Sequence, residues 1–391
     1  MRLIDDDERR ARLARRQGLA DPVASVTGAV EAVVCLHATE PANVHLAAFA
    51  RSGATRAQVD AALYDARSVV KQLAMRRTVF AFPRELLPAV WGSAAARVAT
   101  RLQTRLAKEV EAAGIAPRGD DWLARTTDAV RVVLADGPAT TAELRGRVPG
   151  LDRRLMISPG KSYGGEFPIA SRVLSALAAR GDVVRGENAG DWRLSRPRWT
   201  LAEDWLGAPR VALAEAAGYA ALVRAWLDRF GPGTEADIVW WLGGTKAAVR
   251  RALADNGAVE VSTALGPAYV LPEDLDPVAP VEPWAALLPA LDPTTMGWKQ
   301  RDFYLGDHAG KVFDRNGNAG PTAWWGGRIV GGWRQDPDGT VVVVPCERLP
   351  RAARDALDAR AAALTTWLAG DVVSTIYQSP LVRALRSEVA T

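Results

Sequence analysis

Three groups of side chains in this 391-residue chain are equipped for chemistry. The first is a set of cations on or beside segments that read as helices: Arg76 and Arg77, then Lys161 and Arg172, then Lys246, Arg250 and Arg251. Each could neutralise a phosphate. Taken singly, each is as readily a solvated surface charge. The second group is tryptophan, 14 in all, with the pairs Trp240-Trp241 and Trp324-Trp325 able to stack on unpaired bases. Trp240 and Trp241 lie in a periodic helix, so at least one belongs to the core; on a strand, one of Trp324 and Trp325 must face outward. The third group is His37-Ala38-Thr39-Glu40, leading into Pro41. The residue before a proline is pushed out of the α region, so this segment reads as extended. By residue type alone His37 is a cation favoured at a helix C-terminus and Thr39 an ordinary loop residue. No phosphate-cradling glycine loop, no GxSxG and no metal cluster is present. Nucleotide hydrolysis, esterase chemistry and metal-dependent nuclease activity are therefore not expected, and no cofactor is.

The charge distribution bears on the partner. Residues 1–200 hold 31 Lys/Arg against 22 Asp/Glu, a net of +9, leaving 18 against 23, a net of −5, for residues 201–391. A basic half joined to an acidic one points to a polyanion on one side, or to a solvated arginine-rich face. Cys35 and Cys346 form neither a CxxC nor a zinc spacing, so reduced thiols and a cytoplasmic location are expected. The start MRLIDDDERRARLARR has no signal-peptide core, and no apolar run of about 18 residues occurs.

Along the chain, Ser25 can cap a helix with Val26, Ala29, Val30, Val33 and Val34 on one face, running to about His37. Thr55 caps a helix from Gln58 to Tyr64; a segment from Ser68 to Met75 follows, then a β-like run from Arg77 to Phe82. Further on, Thr140 caps a helix, Pro168 to Ala179 is another, and Gly181 stops it. Asp182–Arg185 and Trp192–Leu194 then make a hairpin. The pattern returns: Thr234 caps a helix through Leu242, Thr245 caps one from Lys246 to Asp255, and Val259–Val261 pairs with Tyr269–Leu271. Ala176–Gly181 matches Ala252–Gly257, which indicates a duplicated module. Helix, helix, hairpin is the winged-helix order, with the Thr55–Phe82 stretch as a weaker third copy. From Pro277 a proline-rich linker leads to short β-like runs at Asp302–Leu305, Lys311–Phe313, Thr322–Trp325, Arg328–Trp333 and Thr340–Val344. These suggest a small barrel or sandwich, followed by a helix from Pro350 to Leu368.

Five pieces, in order, resemble the AlkZ-like winged-helix DNA glycosylases: Val33–Pro41, Met75–Phe80, Arg229–Thr234, Leu287–Asp292 and Gly326–Trp333. Such enzymes excise bulky alkylated bases and help bacteria tolerate DNA crosslinkers. The resemblance covers nearly the whole chain and implies an α+β fold: tandem winged-helix (helix-turn-helix) motifs followed by a small C-terminal β-barrel around a DNA-sized channel. The divisions expected are 1–120, with the first motif and the catalytic segment, 121–200, 201–275 and 276–391. The family's catalytic motif is typically Gln, an apolar residue, then Gln or sometimes Asp. The matching positions here are His37, Ala38 and Thr39.

On that resemblance His37 and Thr39 are the catalytic candidates. Residues i and i+2 of an extended segment share a side, so both could face one water. His37, with an ordinary pKa near ~6.5, would accept its proton; the Thr39 hydroxyl would orient it; Glu40 would support by charge. The expected function is a monofunctional glycosylase that hydrolyses the N-glycosidic bond of bulky N7-guanine adducts in double-stranded DNA, associated with the nucleoid and tied to self-resistance against a genotoxic natural product. The competing reading is a non-catalytic winged-helix DNA-binding protein, a regulator or lesion sequesterer. Regulators bind palindromes as symmetric dimers, whereas three unlike modules in one chain suggest a monomer enclosing DNA asymmetrically.

Overall fold

A computed structural model of the chain describes residues 1–157, 160 and 164–389, with the side chains of 385–389 outside that description; Lys161 also lies outside the described residues. Helix α1 (Asp6–Arg16) has acidic residues in its first turn and arginines in its last, and Asp5 caps it by accepting from Glu8 N at 2.8 Å, an arrangement that suits the helix dipole. Helix α2 (Val26–Glu31) starts at the Ser25 cap as expected but stops six residues short of His37. A tight turn, with Val34 at φ 66°, reverses the chain into β1 (Leu36–His37). Pro41 then opens α3 (Pro41–Ser52) at its first turn, where a missing N–H costs nothing.

Thr55 and Gln58 form a reciprocal capping box at α4 (Arg56–Asp60), which continues as a π-helical turn to Asp65. Strands β2 (Val69–Leu73) and β3 (Val79–Pro83) follow. The Ser68–Met75 segment is thus a strand and not the middle of a helical module. The β-branched Val69 and Val70 favour that choice, and both faces of β2 are buried. The sheet is antiparallel in the order β1-β3-β2, with His37 opposite Phe80 and Phe80 opposite Gln72.

Helices α5 (Leu87–Gly92), α6 (Ala94–Ala112) and α7 (Gly119–Ala135) lead to α8 (Thr141–Arg147), whose Thr140–Glu143 capping box is formed. A small hairpin, β4 (Arg154–Ile157) with β5 (Gly165–Pro168), intervenes before α9 (Ala170–Arg180), which Gly181 ends at φ 79°. The next hairpin pairs β6 (Val183–Asn188) with β7 (Pro197–Leu201). The return strand therefore lies at 197–201, not at Trp192–Leu194. Trp192 leaves the hairpin because a better-buried site is at hand, against His45 and Trp367 at ring distances of 5.1 and 5.8 Å.

After α10 (Ala202–Leu206), the order repeats: α11 (Glu215–Phe230), α12 (Glu235–Leu242), α13 (Lys246–Asp255), then β8 (Val259–Thr263) paired with β9 (Gly266–Val270). Thr234 and Thr245 cap α12 and α13. The remaining chain contributes β10 (Ala285–Leu288), the short helices α14 (Pro293–Met296), α15 (Asp302–Leu305) and α16 (Ala309–Val312), strands β11 (Thr322–Trp325), β12 (Arg328–Gln335) and β13 (Val341–Pro345), then α17 (Arg351–Leu368) and α18 (Pro380–Val389).

The expected barrel is instead an open sheet in the order β10-β11-β12-β13, with no pairing of its two edges among the described residues. Helix α17 covers one face through Leu357, Ala361 and Leu364, so the sheet need not close on itself to bury its apolar side. Two runs read as strands are largely helical turns: Asp302–Leu305 is α15, and Lys311 and Val312 of the Lys311–Phe313 run end α16, leaving Phe313 in an isolated bridge to Ala319. Phe303 and Tyr304, which a strand would have turned to opposite sides, both point into the core beside Trp298. No described helix is long and apolar enough to cross a membrane.

One apolar core runs unbroken from Leu13 through α3, the β1–β3 sheet and α11–α13 to Trp324 and Ile329, whereas residues between Leu106 and Leu201 build a second core of their own. At the heart of the first lies an ion pair with no solvent exposure on either partner. Arg51 of α3 donates to both Asp292 oxygens, at 2.9 and 2.7 Å. It also donates to the Thr294 hydroxyl at 2.7 Å, and that hydroxyl donates to Gln17 Oε1 at 2.7 Å. Asp292→Ala would strand the guanidinium in the core. It is expected to destabilise the protein by roughly 3–5 kcal/mol, read as a drop in thermal midpoint. A midpoint equal to the parent's would show that the pair does not hold the two chain segments together.

Candidate functional site

His37 and Thr39 share one wall of a cavity of about 610 Å³. The sequence order that puts them there is local: the Val34 turn sets the direction of β1, and Ala38 N continues the pairing to Val79 O at 2.9 Å, which holds the segment extended. Arg76, Arg77 and Thr78, the turn between β2 and β3, form the adjoining wall. Leu291, Pro293 and Met296 supply another, fixed from behind by Asp292, which caps α14 through Thr294 N at 2.9 Å. Lys299 and Arg301 complete it, their loop held by buried Asp237, whose Oδ1 accepts from Lys299 N at 2.8 Å and Gln300 N at 2.9 Å.

The backbone around this cavity is strained. Arg76, Arg77 and Leu291, all lining it, adopt left-handed conformations at φ 56°, 60° and 58°, as does Val34 beside Cys35. Non-glycine residues hold such angles only where packing over-determines them, a pattern that clusters at functional sites. Gly243, the left-handed cap of α12 at φ 60°, lets that helix end against Arg76; a Cβ there would lie 3.2 Å from the Arg76 side chain.

Burial dominates the electrostatics of His37. It pulls the imidazole pKa down to about 3, and the Arg76 charge pushes the same way. His37 Nδ1 is buried without a hydrogen-bond partner, and the ring meets Phe80 and Tyr377 edge-on at 5.8 and 6.3 Å. His37 is thus a neutral hydrogen-bonding group across the physiological range, a weak base and no cation. Against the ordinary value near 6.5, burial thus moves its titration to the acid side. Burial also raises the Cys35 and Tyr377 pKa values. Desolvation within the concave wall lowers Arg76 to about 10, where it remains protonated at neutral pH. Its guanidinium lies 4.4 Å from the Trp240 ring centre, and that of Arg301 lies 5.0 Å from it. Trp241 is the buried member of that pair. Trp324 is wholly buried in the β11–β12 sheet, and Trp325 packs under α17, so neither offers a free stacking face.

Glu40 does not line the cavity. Its oxygens accept from Thr375 Oγ1 at 2.8 Å, Ile376 N at 2.9 Å and Asn43 Nδ2 at 3.3 Å. The carboxylate pins a strap of the C-terminal segment against the His37–Thr39 wall and so delivers Tyr377 to the site. Tyr377, Lys299 and Arg301 carry no local sequence signal; they arrive through contacts spanning most of the chain.

Of the other expected contacts, Arg172 lies with Arg76, Arg77 and Arg105 in an adjoining groove but is paired with Glu109 at 2.6 Å. Lys246, Arg250 and Arg251 sit on the exposed side of α13 and line neither concavity. Arg250 is paired with Glu235 at 2.6 Å, Arg251 with Asp255 at 3.6 Å, and Lys246 has no ion pair among the described residues. No group of three or more His, Cys, Asp or Glu is placed to hold a metal ion among the described residues.

The family model described as DNA glycosylase AlkZ-like matches residues 30–367. No curated protein sequence matches the chain. Among solved structures, the Streptomyces sahachiroi DNA glycosylase AlkZ superposes with a TM-score of 0.73 at 22% identity, covering 94% of this chain and 98% of that one.

A depressed histidine pKa has a signed consequence. Between pH 6.5 and about 3 the unfolded chain binds a proton at His37 that the folded chain does not. Stability conferred by this residue is therefore full above pH 6.5 and falls as the pH drops through that window. His37→Gln is expected to flatten the acid limb of the stability profile. NMR titration of the parent should show a neutral His37 ring from pH 8 to 5; an inflection near 6.5 would contradict the burial argument.

Proposed function

Because this chain belongs to the AlkZ-like DNA glycosylase family, a DNA repair activity is its starting point, and we propose that it hydrolyses the N-glycosidic bond of bulky N7-alkylated guanines in duplex DNA. The observation that carries this reading is the chemistry of the cavity wall. His37 and Thr39 face a space of about 610 Å³ whose charged lining residues, among those described, are all cations: Arg76, Arg77, Lys299 and Arg301. That volume lies within the range of pockets for sizeable ligands. The cations suit the phosphates flanking a damaged nucleotide.

The same wall limits the leaving group. His37 is neutral, and the Cys35 and Tyr377 protons are held more tightly than usual. None of these residues is suited to protonating a departing neutral base. An N7-alkylated guanine carries its own positive charge and needs no such proton. The protein then has to place a water near C1′, and positioning alone is a large contribution. Thr39 supplies a hydroxyl that both donates and accepts. His37 is read as a positioning hydrogen-bond partner more than as a strong base. Its neighbours Phe80 and Tyr377 restrict its ring.

The helix-helix-hairpin units α8–α9–β6–β7 and α12–α13–β8–β9 are read as winged-helix modules. The chain is read as a monofunctional, monomeric enzyme using water, with no lysine intermediate, and self-resistance to a genotoxic product as its setting. The expected divisions at 120, 200 and 275 are kept on this reading, with 276–391 as the unit that completes the cavity.

Single-turnover release of a defined N7-guanine adduct tests the assignment. His37→Ala is expected to slow release by on the order of 10²-fold, the lower end for a positioned acid–base group, and Thr39→Ala by less. His37→Gln should retain most activity, and the parent's rate should be level between pH 5.5 and 8. If both alanine variants release the adduct at the parent's rate, the site lies elsewhere. If the parent binds adducted duplex and never releases a base, the non-catalytic lesion-binding reading replaces the enzymatic one.

A further inference from the structure

The cavity is the end of a longer depression. Arg76 and Arg77 belong both to it and to a neighbouring groove of about 350 Å³ that Arg105 and Arg172 also line. Arg105 in turn belongs to a third hollow, about 580 Å³, along α6, where Arg101 and Lys108 join it. The spacing explains the run: 101, 105 and 108 are four and three residues apart, one face of a helix. The threonines Thr100 and Thr104 sit among them.

Three hollows that share lining arginines thus all carry cations, and among the described residues that line them there is one carboxylate, Glu109. Its two oxygens go to different arginines: Oε1 accepts from Arg105 Nε at 2.8 Å and Oε2 from Arg172 at 2.6 Å. The side chains are 52% exposed for Arg105, 25% for Arg172 and 24% for Glu109. The Arg105 pair is open to water and adds little stability; the Arg172 pair is part-buried and is given up only to another anion. Two guanidinium groups converging on a pair of anionic oxygens is also the way a phosphate is held.

Resting on the DNA reading above, we infer that α6 carries a track for DNA backbone phosphates leading into the cavity, and that Glu109 stands in that track in place of one phosphate. In the free protein it keeps Arg105 and Arg172 extended and together. In the complex a backbone phosphate displaces it, and the carboxylate is left facing a like charge. Glu109 therefore holds down affinity for any duplex while preserving the geometry of the two arginines. Such a brake acts on every sequence alike, since phosphates carry no sequence information.

The experiment uses the full chain and a labelled random-sequence duplex, with affinity measured across a salt series and thermal midpoints measured in parallel. Glu109→Gln retains hydrogen-bond acceptance and is expected to bind about fivefold more tightly at low salt, the worth of one unit charge at close range in water. Arg101→Glu with Lys108→Glu should weaken binding and flatten the log–log salt slope by about 0.9 for each phosphate that is no longer neutralised. Arg172→Gln should weaken binding as well. Unchanged or weaker binding by Glu109→Gln would overturn the inference; if its thermal midpoint also falls, the carboxylate is a clamp between α6 and α9. A parent that binds no duplex at all would overturn the DNA reading itself, an outcome distinguishable from failure of the Glu109 brake alone.

Discussion

The site depends on a charge pair that water never reaches. Arg51 and Asp292, 241 residues apart in the chain, meet in a fully buried bidentate pairing. Removing two charges from water is costly and is offset only when geometry is good and the remaining donors and acceptors are satisfied. Here the Thr294 hydroxyl, itself held by Gln17, and the Ala47 carbonyl accept from the guanidinium, and Arg51 Nε alone of its donors is left buried without a partner. The arrangement is as much a specification as a source of stability. Asp292 must sit opposite Arg51, so Leu291, Pro293 and Met296 must form a wall facing His37 and Thr39. Asp237 acts similarly on the other side, fixing the loop that carries Lys299 and Arg301.

Within that frame the electrostatic character of the cavity follows from which residues are buried and which are merely enclosed. The four basic side chains lie on a concave surface, and Arg76, lowered only to about 10, keeps its charge there. His37 is pressed between Phe80 and Tyr377 and loses the ability to take one. An imidazole so placed is, in hydrogen-bonding terms, like a side-chain amide: neutral, polar and restricted in direction.

Much of this organisation is legible in the sequence where the signal is local. Thr55, Thr140, Thr234 and Thr245 announce their helices because a hydroxyl at the N-cap satisfies an orphan N–H whatever else the chain does. His37 and Thr39 become candidates only through the family resemblance; what the local sequence adds is that the segment before Pro41 is extended, so that the two share a side. The segment 69–73 misleads because two-sided burial removes the alternation that marks a strand. The 302–305 and 311–313 runs mislead because four-residue helical turns are too short to show a period. Arg301, Tyr377 and the role of Glu40 are beyond reach, since each depends on a partner far away in the chain. The open β10–β13 sheet belongs with them: whether a sheet closes is decided by what covers it, and α17 does so from outside the strands.

The Glu40 strap has a consequence for how the protein comes into being. Glu40 is synthesised more than 330 residues before Thr375 and Ile376, which it binds. A chain emerging from the ribosome at ordinary rates exposes the His37 segment long before its lid residue, Tyr377, exists. During that interval the pocket lacks both Tyr377 and the wall that Asp292 sets. The wall around His37 and Thr39 is therefore complete only once the C-terminal strap has docked on Glu40.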